Sequence, residues 1–165
     1  MIGNDIVDLA LAKIQSNWKR VGYLDKIFTV SEKKLIQNSK NQEITVWELW
    51  SRKEAVYKIY NRLTNERVFN PLQIECFENS IFNKNEYGII ICKEKKYYTR
   101  TQINYNYIYS EAVCNIEDFY KIKSISKPKN IIKHNGIPSY LDEINFITKP
   151  ISITHHGRFE RIISI

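Results

Sequence analysis

The sequence lacks closely spaced cysteine pairs. Its three cysteines, Cys76, Cys92 and Cys114, are odd in number and form no C-x-x-C motif. This pattern gives neither a disulfide framework nor a zinc-binding spacing. All three lie in apolar stretches typical of strands, where a buried free thiol is the expected state.

Long hydrophobic runs and a secretory leader are also missing. No window approaches the roughly 20 apolar residues that a membrane span needs. The first ten residues, MIGNDIVDLA, carry acids where a signal peptide needs bases. There is no internal repeat, low-complexity tract or linker. We therefore expect a cytoplasmic protein without a membrane partner, built as a single domain over residues 1–165.

Positive charge and aromatic side chains are what the sequence has in excess. The 165-residue chain has a formal charge of +7, and 13% of its residues are aromatic. This aromatic content excludes a disordered chain. A basic surface suits anionic partners such as nucleic acid, a nucleotide cofactor or an acidic protein. Abundant Lys, Ile, Asn and Tyr are also typical of AT-rich genomes, so charge alone does not identify the partner.

The hydrophobic pattern changes near Asn70. Before it we predict one N-terminal strand and helices over residues 9–21 and 43–63, with the segment NPLQ ending the second helix. Thr29 and Glu32 form a capping-box pattern that predicts a short helix after Thr29. After Asn70 the pattern predicts strands over residues 72–77, 87–92, 96–105 and 107–116, a loop or short helix over 126–141, and two strands within 149–165. This order indicates an α+β fold.

Asp5 is the first candidate functional residue. It follows Gly3 inside an apolar strand, where a carboxylate is costly unless a cation meets it. The alternative is a turn or helix-capping role, and Asp8 is placed to cap the following helix.

Glu54 and Lys58 are the second candidates. They are four residues apart in the long predicted helix, with Trp50, Tyr57 and Tyr60 in the same turns. As a surface ion pair they would contribute only about 0.2–0.5 kcal/mol. Alternatively, the carboxylate could bind Mg²⁺ and the ammonium group a phosphate.

The third candidate is the segment SITHHGR, Ser152–Arg158. It offers hydroxyl, imidazole and guanidinium groups at the end of a predicted strand. Such donors suit a phosphate. Two adjacent histidines could also bind a metal, but no third His or Cys ligand stands out, so phosphate binding is favoured.

Four segments in order, IGNDIVDL, FTVSE, WSRKEAVYK and PISITHHGRF, resemble the motifs of the 4′-phosphopantetheinyl transferase superfamily. Gly3–Asp5 matches its G-x-D segment, and Trp50–Lys58 matches its W/F-x-x-K-E-A-x-x-K helix. The C-terminal position of Ser152–His155 places the chain nearer the small holo-acyl-carrier-protein synthase branch than the two-lobed branch. The resemblance covers roughly residues 1–75 and 135–165.

The resemblance implies an antiparallel sheet packed against a long helix. It also implies Mg²⁺-dependent transfer of phosphopantetheine from coenzyme A to a serine of an apo carrier protein, with release of adenosine 3′,5′-bisphosphate. Asp5 and Glu54 would hold the metal, and with Lys58 they would form the catalytic set. The residues expected to bind coenzyme A are Lys58, Ser152, Thr154, His155 and Arg158, with Lys53, Arg52 and Arg62 as further candidates.

Two departures from the small branch carry further expectations. The chain is longer than those synthases, and we expect residues 77–127 to form an inserted β-meander. The two-lobed branch has a second acid two residues after its metal-binding Asp, where this chain has Val7, so we expect water in place of a third carboxylate. The small branch forms trimers with the active site between subunits, so two alternatives stay open here: a homo-oligomer, or a monomer in which the added strands replace a neighbour's surface.

Two other functions stay open at this point: a Mg²⁺-dependent nuclease and a noncatalytic nucleic-acid-binding domain. Nuclease sites commonly use a [DE]-x-K spacing on a strand, whereas this chain has E-x-x-x-K in a helix. No recognised RNA-binding motif accompanies the tyrosine-rich strands. The sequence does not identify the carrier protein, which could serve fatty-acid, polyketide or peptide synthesis.

Overall fold

The computed structural model of the protein describes residues 1–82, 85–126, 130–142 and 146–165. Its helices are α1 (Leu9–Gln15), α2 (Tyr23–Ile27), α3 (Val30–Asn38) and α4 (Gln42–Thr64). Its strands are β1 (Ile2–Asp8), β2 (Ile74–Phe82), β3 (Asn85–Cys92), β4 (Lys95–Ile103), β5 (Tyr107–Val113), β6 (Lys123–Ser124), β7 (Ile131–His134), β8 (Ile137–Asp142), β9 (Ile147–His156) and β10 (Phe159–Ser164). None of the helices described is long and apolar enough to cross a membrane.

The strands of the described chain form two five-stranded antiparallel sheets. The first has the order β1-β5-β4-β3-β2, and the second has the order β6-β10-β9-β8-β7. β1 pairs with β5 along its whole length, from Ile2 opposite Val113 to Asp8 opposite Tyr107. α4 packs on the first sheet and buries Ala55 among its core residues. This architecture confirms the predicted α+β class with an antiparallel sheet against a long helix.

The four strands predicted between residues 72 and 116 are confirmed as β2 to β5. They complete the sheet that β1 begins, so residues 77–127 supply most of its strands. That this span is an insertion relative to the small synthases stays a prediction, and its last residue lies outside the described residues. Cys76 and Cys92 are buried free thiols, as expected, whereas Cys114 is half-buried.

Local end signals decide the helix boundaries. Asp8 caps α1, its Oδ1 accepting from Ala10 N at 3.1 Å, and the capping box at the start of α3 is confirmed. The predicted helix over residues 9–21 is too long, because Ser16 adopts an extended conformation and α1 ends at Gln15. The predicted helix over residues 43–63 is confirmed to within one residue at each end, although NPLQ lies beyond its end. α4 ends at Thr64 because Asn65 takes the left-handed conformation with φ 59°.

The prediction of a loop or short helix over residues 126–141 is wrong where the structure describes them. Ile131–His134 and Ile137–Asp142 form a β-hairpin, β7–β8. Its two-residue turn is Asn135-Gly136, with φ of 49° and 75°, which is the sequence that a type I′ turn prefers. Pro128, part of the same prediction, lies outside the described residues.

β1 and α4 lie in close contact at Gly3. A side-chain carbon at this position would lie 1.9 Å from the backbone oxygen of Ala55, so only glycine fits without moving the helix. Ser51 Oγ on α4 also donates to the backbone oxygen of Asp5 at 3.3 Å. The contact therefore brings the middle of α4 directly against the strand that carries Asp5.

Gly3→Ala should lower the free energy of unfolding by more than about 2 kcal/mol, because the new methyl group would overlap a backbone oxygen. For a chain of this size we expect Tm to fall by roughly 4–8 °C, measured by circular dichroism. Gly22→Ala is the matched control: Gly22 has φ 76° and open space around it, so it should cost only backbone strain of about 1 kcal/mol. An equal loss in both variants would argue against the close contact.

Candidate active site

Asp5 and Glu54 line one cleft. The cleft has a volume of about 260 Å³ and lies between β1, α4 and the end of β9. Aromatic and imidazole groups complete much of its wall: Tyr23, Trp47, Trp50, His155 and His156. The structure thus brings together the two acids predicted as metal ligands and one histidine predicted to bind phosphate.

Burial and mutual repulsion make the two acids hard to ionise together. Burial raises the pKa of Asp5, and the nearby Lys58 ammonium group offsets part of this rise. The pKa of Glu54 is raised to about 7, first by burial and then by the negative charge of Asp5, against the lowering effect of Lys58. A divalent cation between the two carboxylates would offset both the burial of their charges and the repulsion between them.

The donor set fits Mg²⁺ better than a transition metal. Within the described ranges, no group of three or more His, Cys, Asp or Glu side chains could hold a metal ion. Val7, where the two-lobed branch has a further acid, is 5% exposed and lines the same cleft. Zinc requires about four protein ligands in a structural site, whereas Mg²⁺ is commonly held by one or two carboxylates and keeps several waters.

Lys58 lies beside Asp5 and joins two strands. Its Nζ donates to the backbone oxygens of Asn4 at 2.6 Å and Ile153 at 3.2 Å. It is also 3.7 Å from Asp5 Oδ1, and the side chain is 30% exposed. The carboxylate within ion-pair distance is that of Asp5 rather than Glu54, so the interpretation as an ordinary pair along the helix surface is wrong.

Side chains of β9 bond to the outer edge of β1. Three backbone N–H groups donate to side chains spaced two residues apart: Asn4 to Ser152 Oγ at 3.0 Å, Ile6 to Thr154 Oγ1 at 3.1 Å and Asp8 to His156 Nδ1 at 2.8 Å. Alternate residues of a strand share a face, which explains the spacing. A buried N–H without an acceptor would cost about 1–3 kcal/mol, so these contacts stabilise the junction of the two sheets.

These contacts give Ser152 and Thr154 a structural role, and their predicted contact with coenzyme A stays a prediction. Both side chains are buried, with relative exposures of 3% and 4%, and each hydroxyl already accepts a backbone N–H. Thr154 Oγ1 also donates to Asp5 Oδ1 at 3.2 Å. Thr154 therefore helps to position the Asp5 carboxylate.

His155 and Arg158 have different surroundings. His155 is exposed and lines the acidic cleft, so its predicted contact with a phosphate stays a prediction. Arg158 instead binds Asp8 with two hydrogen bonds, Nε to Oδ2 at 2.9 Å and Nη2 to Oδ1 at 2.8 Å. The Arg158 guanidinium lowers the pKa of Asp8. The Arg158 side chain is still 55% exposed, so its predicted contact with coenzyme A stays a prediction.

Lys53 and Arg52 are structural residues, which corrects their assignment as phosphate ligands. Lys53 is fully buried, with Nζ 2.7 Å from Glu32 Oε2 and hydrogen bonds to the backbone oxygens of Pro71 and Ile74. Its partner is the capping-box acid of α3. Arg52 is 1% exposed, and its Nε donates to Thr99 Oγ1 at 3.0 Å. Neither cation reaches the acidic cleft.

Arg62, the last predicted ligand, lies in a second cleft. This cleft has a volume of about 240 Å³, and Lys58 lines it as well. The Arg62 guanidinium donates to the backbone oxygens of Pro138 and Ile151 at 2.8 and 2.7 Å. Arg62 is thus outside the acidic cleft.

Sequence reasoning missed Ser51, and it took His156 as part of a donor segment without predicting its contact with the edge of β1. Ser51 bonds to the backbone of Asp5, and it lies three residues before Glu54, on the same side of α4. His156 continues the two-residue spacing of Ser152 and Thr154. That spacing was the available signal, because it predicts one shared face for all three side chains.

The fold places two acids and a lysine between a strand and a long helix. A family model for the 4′-phosphopantetheinyl transferase superfamily matches residues 1–116, and the chain belongs to this superfamily. No curated protein matches the chain at a significant level.

Two solved structures show the same fold. The chain is similar to the apo-ACPS of Chronobacterium ammoiniagenes, with a TM-score of 0.52 and 15% identity over 68% of this chain and 93% of that one. It is also similar to the holo-[acyl-carrier-protein] synthase of Thermotoga maritima, with a TM-score of 0.51 and 16% identity over 99% of this chain and 82% of that one. These neighbours confirm the predicted fold.

Thr154→Val tests the junction between β9 and Asp5. It keeps the side-chain shape but removes the hydroxyl, leaving the Ile6 N–H without its acceptor. We expect the free energy of unfolding to fall by about 1–2 kcal/mol in urea denaturation. Thr154→Ser keeps the hydroxyl and should lose less than about 0.5 kcal/mol. If both variants unfold at the same urea concentration, the hydroxyl does not hold the edge of β1.

Proposed function

We propose that the protein transfers the 4′-phosphopantetheine group of coenzyme A to a serine hydroxyl of an apo carrier protein and releases adenosine 3′,5′-bisphosphate. One observation carries the proposal: in a chain of this superfamily, Asp5 and Glu54 share a cleft with Lys58 beside them. This set suits phosphoryl-type transfer, where positioning and charge neutralisation dominate.

Asp5 and Glu54 would hold Mg²⁺, which when bound would neutralise charge on the diphosphate of coenzyme A. Thr154 and Ser51 keep Asp5 in place for this role through hydrogen bonds to its carboxylate and its backbone. The Asp5–Glu54 repulsion that raises the pKa of Glu54 also favours binding of a cation.

Glu54 is the proposed general base. In the metal-free cleft, burial and the charge of Asp5 raise the pKa of Glu54 to about 7, and a bound cation would lower that pKa again. The serine proton passes to the Glu54 carboxylate while the serine oxygen bonds to phosphorus. The bond between that phosphorus and the oxygen of adenosine 3′,5′-bisphosphate breaks in the same exchange, so the leaving group carries the electron pair away.

Lys58 and His155 would stabilise negative charge on the phosphates. Two of the three N–H donors of Lys58 already meet backbone oxygens, which fixes the ammonium group next to Asp5. A fixed cation needs no reorganisation when charge develops on the transferred group. His155, exposed at the cleft, would contact a phosphate as the substrate enters.

The carrier protein would dock beside α1. Exposed basic residues lie on this flank of the acidic cleft: Lys13, Lys19 and Arg20. Ser16 lines both the acidic cleft and the neighbouring groove, so the two surfaces are continuous. Carrier proteins are usually acidic, and a basic flank would speed their association. The carrier protein of fatty-acid synthesis is the first substrate to test. Assembly of the protein as a homotrimer stays a prediction.

The free cysteines suit a reducing compartment such as the cytoplasm. The nuclease and nucleic-acid-binding alternatives lose support, because the chain belongs to a transferase superfamily. No structural observation favours them over phosphopantetheine transfer.

Mass spectrometry tests the proposal. The protein is mixed with coenzyme A, Mg²⁺ and an apo carrier protein, and the carrier should gain the mass of one phosphopantetheine group. Asp5→Ala and Glu54→Gln should each reduce turnover by about a hundredfold or more, because each removes charge stabilisation at the reacting phosphate. Glu117→Gln is the matched control: it makes the same chemical change at an exposed acid and should keep the wild-type rate.

Two results would contradict the proposal. Folded protein that modifies none of several carrier types would show that the activity is absent. Full turnover in Glu54→Gln would show that the assignment of metal ligand and base is wrong.

A further inference from the structure

Phe69 turns inward from an otherwise exposed segment. Residues 63–70 lead away from the end of α4, and all of them are exposed except Phe69, which is half-buried. Residues 65–70 belong to neither a helix nor a strand. The position of this one aromatic side chain therefore depends on the contacts that its ring makes.

The Phe69 ring contacts two aromatic residues of α4. Its centroid is 5.6 Å from that of Trp50, with the two rings nearly perpendicular at 86°, and 4.9 Å from that of Tyr57, at 59°. Ring pairs with these separations and angles are favourable. Trp50 and Tyr57 are two turns apart on one side of α4, and Glu54 lies in the turn between them. Phe69 therefore holds the aromatic side chains on both sides of the Glu54 turn.

Trp50 connects Phe69 to the acidic cleft. Trp50 lines this cleft together with Glu54, whereas Phe69 contacts Trp50 without lining the cleft itself. Any effect of Phe69 on the chemistry would therefore act through the Trp50 side chain.

Hydrogen bonds hold the backbone of the Phe69 segment against α4. Tyr57 Oη donates to the backbone oxygen of Arg67 at 2.7 Å, and Asn61 Nδ2 donates to the backbone oxygen of Glu66 at 2.7 Å. The Glu66 carboxylate also pairs with Lys93 of the β3–β4 turn, with 2.8 Å between Lys93 Nζ and Glu66 Oε2. The inward aromatic ring thus extends from a backbone that is fixed on two sides.

Water would compete with the serine hydroxyl in the proposed reaction. In hydrolysis a water oxygen would bond to phosphorus, and a water proton would pass to the Glu54 carboxylate. The bond between phosphorus and the oxygen of adenosine 3′,5′-bisphosphate would break, with the electron pair leaving on that oxygen, and 4′-phosphopantetheine would be released. Exclusion of water from an active site suppresses side reactions of this kind.

We propose that Phe69 is a positioning residue that holds Trp50 in the wall of the acidic cleft and thereby favours serine over water as the acceptor. The inference rests on the proposed function. Trp50 and Glu54 line the same cleft one helical turn apart, so a fixed indole limits the access of water to the proposed base. Because Phe69 does not line the cleft, it affects the choice of acceptor and not the binding of coenzyme A.

The ratio of modified carrier to released adenosine 3′,5′-bisphosphate tests the inference. The wild type should modify about one carrier protein for each bisphosphate released. In Phe69→Ala the Trp50 side chain loses its support, and we expect about half of the released bisphosphate to come from hydrolysis. This variant should also release 4′-phosphopantetheine from coenzyme A when no carrier is present. Its KM for coenzyme A should change by less than about twofold.

Two further variants separate positioning from general packing. Phe69→Leu keeps most of the apolar volume and should fold even if Phe69→Ala does not, but without the ring it should still hydrolyse more coenzyme A than the wild type. Trp50→Ala should raise hydrolysis as much as Phe69→Ala does. The double variant should hydrolyse no more than Trp50→Ala alone, because two residues that act through one contact are not additive.

Val68→Ala is the matched control. Val68 precedes Phe69 in the same segment but is 79% exposed, so the variant truncates an apolar side chain that faces solvent. It should keep the wild-type ratio. A wild-type ratio in folded Phe69→Leu, an equal loss in Val68→Ala, or additive losses in the double variant would overturn the role of Phe69. A wild type that modifies no carrier would overturn the proposed function instead, which separates the two failures.

Discussion

The contact between Gly3 on β1 and Ala55 on α4 is the constraint on which the rest of the site depends. A side-chain carbon at position 3 would lie 1.9 Å from the Ala55 oxygen, so the strand and helix approach more closely than any other residue allows. Because Glu54 precedes Ala55 and Asp5 follows Gly3 by two residues, the same approach brings both acids into one cleft. Placing two carboxylates together costs electrostatic repulsion, and the contacts that hold β1 in place offset this cost.

β1 is bonded on both edges and on one face. β5 pairs with one edge, β9 side chains accept hydrogen bonds from the other, and Lys58 reaches the Asn4 oxygen from α4. The motif residues therefore divide by task. Ser152, Thr154 and Lys53 hold the strands and helices in place, whereas Asp5 and Glu54 line the cleft and Lys58 lies beside Asp5. A rigid strand keeps the repelling carboxylates from moving apart, which preserves a site for a cation.

Features that depend on neighbouring residues could be predicted from the sequence. The Thr29–Glu32 capping box, the Asp8 cap and the strands β2 to β5 all follow from local patterns. Contacts between distant segments could not be predicted. Lys53 and Glu54 are adjacent, but successive side chains of a helix point about 100° apart around its axis. Lys53 therefore pairs with Glu32 in the core, whereas Glu54 lines the cleft. The hydroxyl side chains of β9 predict a polar face on this strand. They do not reveal that the face contacts the edge of β1.

The central claim is that the fold forces two repelling carboxylates into a cation site. The most direct test is thermal unfolding at pH 8 of the wild type and of Glu54→Gln, each with and without Mg²⁺. An acid whose pKa is raised on folding costs stability once the pH exceeds its unfolded pKa. Without Mg²⁺ we therefore predict that Glu54→Gln is more stable than the wild type by about 1–2 kcal/mol. Mg²⁺ should stabilise the wild type and leave the variant unchanged. A less stable variant, or an equal response to Mg²⁺ in both proteins, would contradict the account.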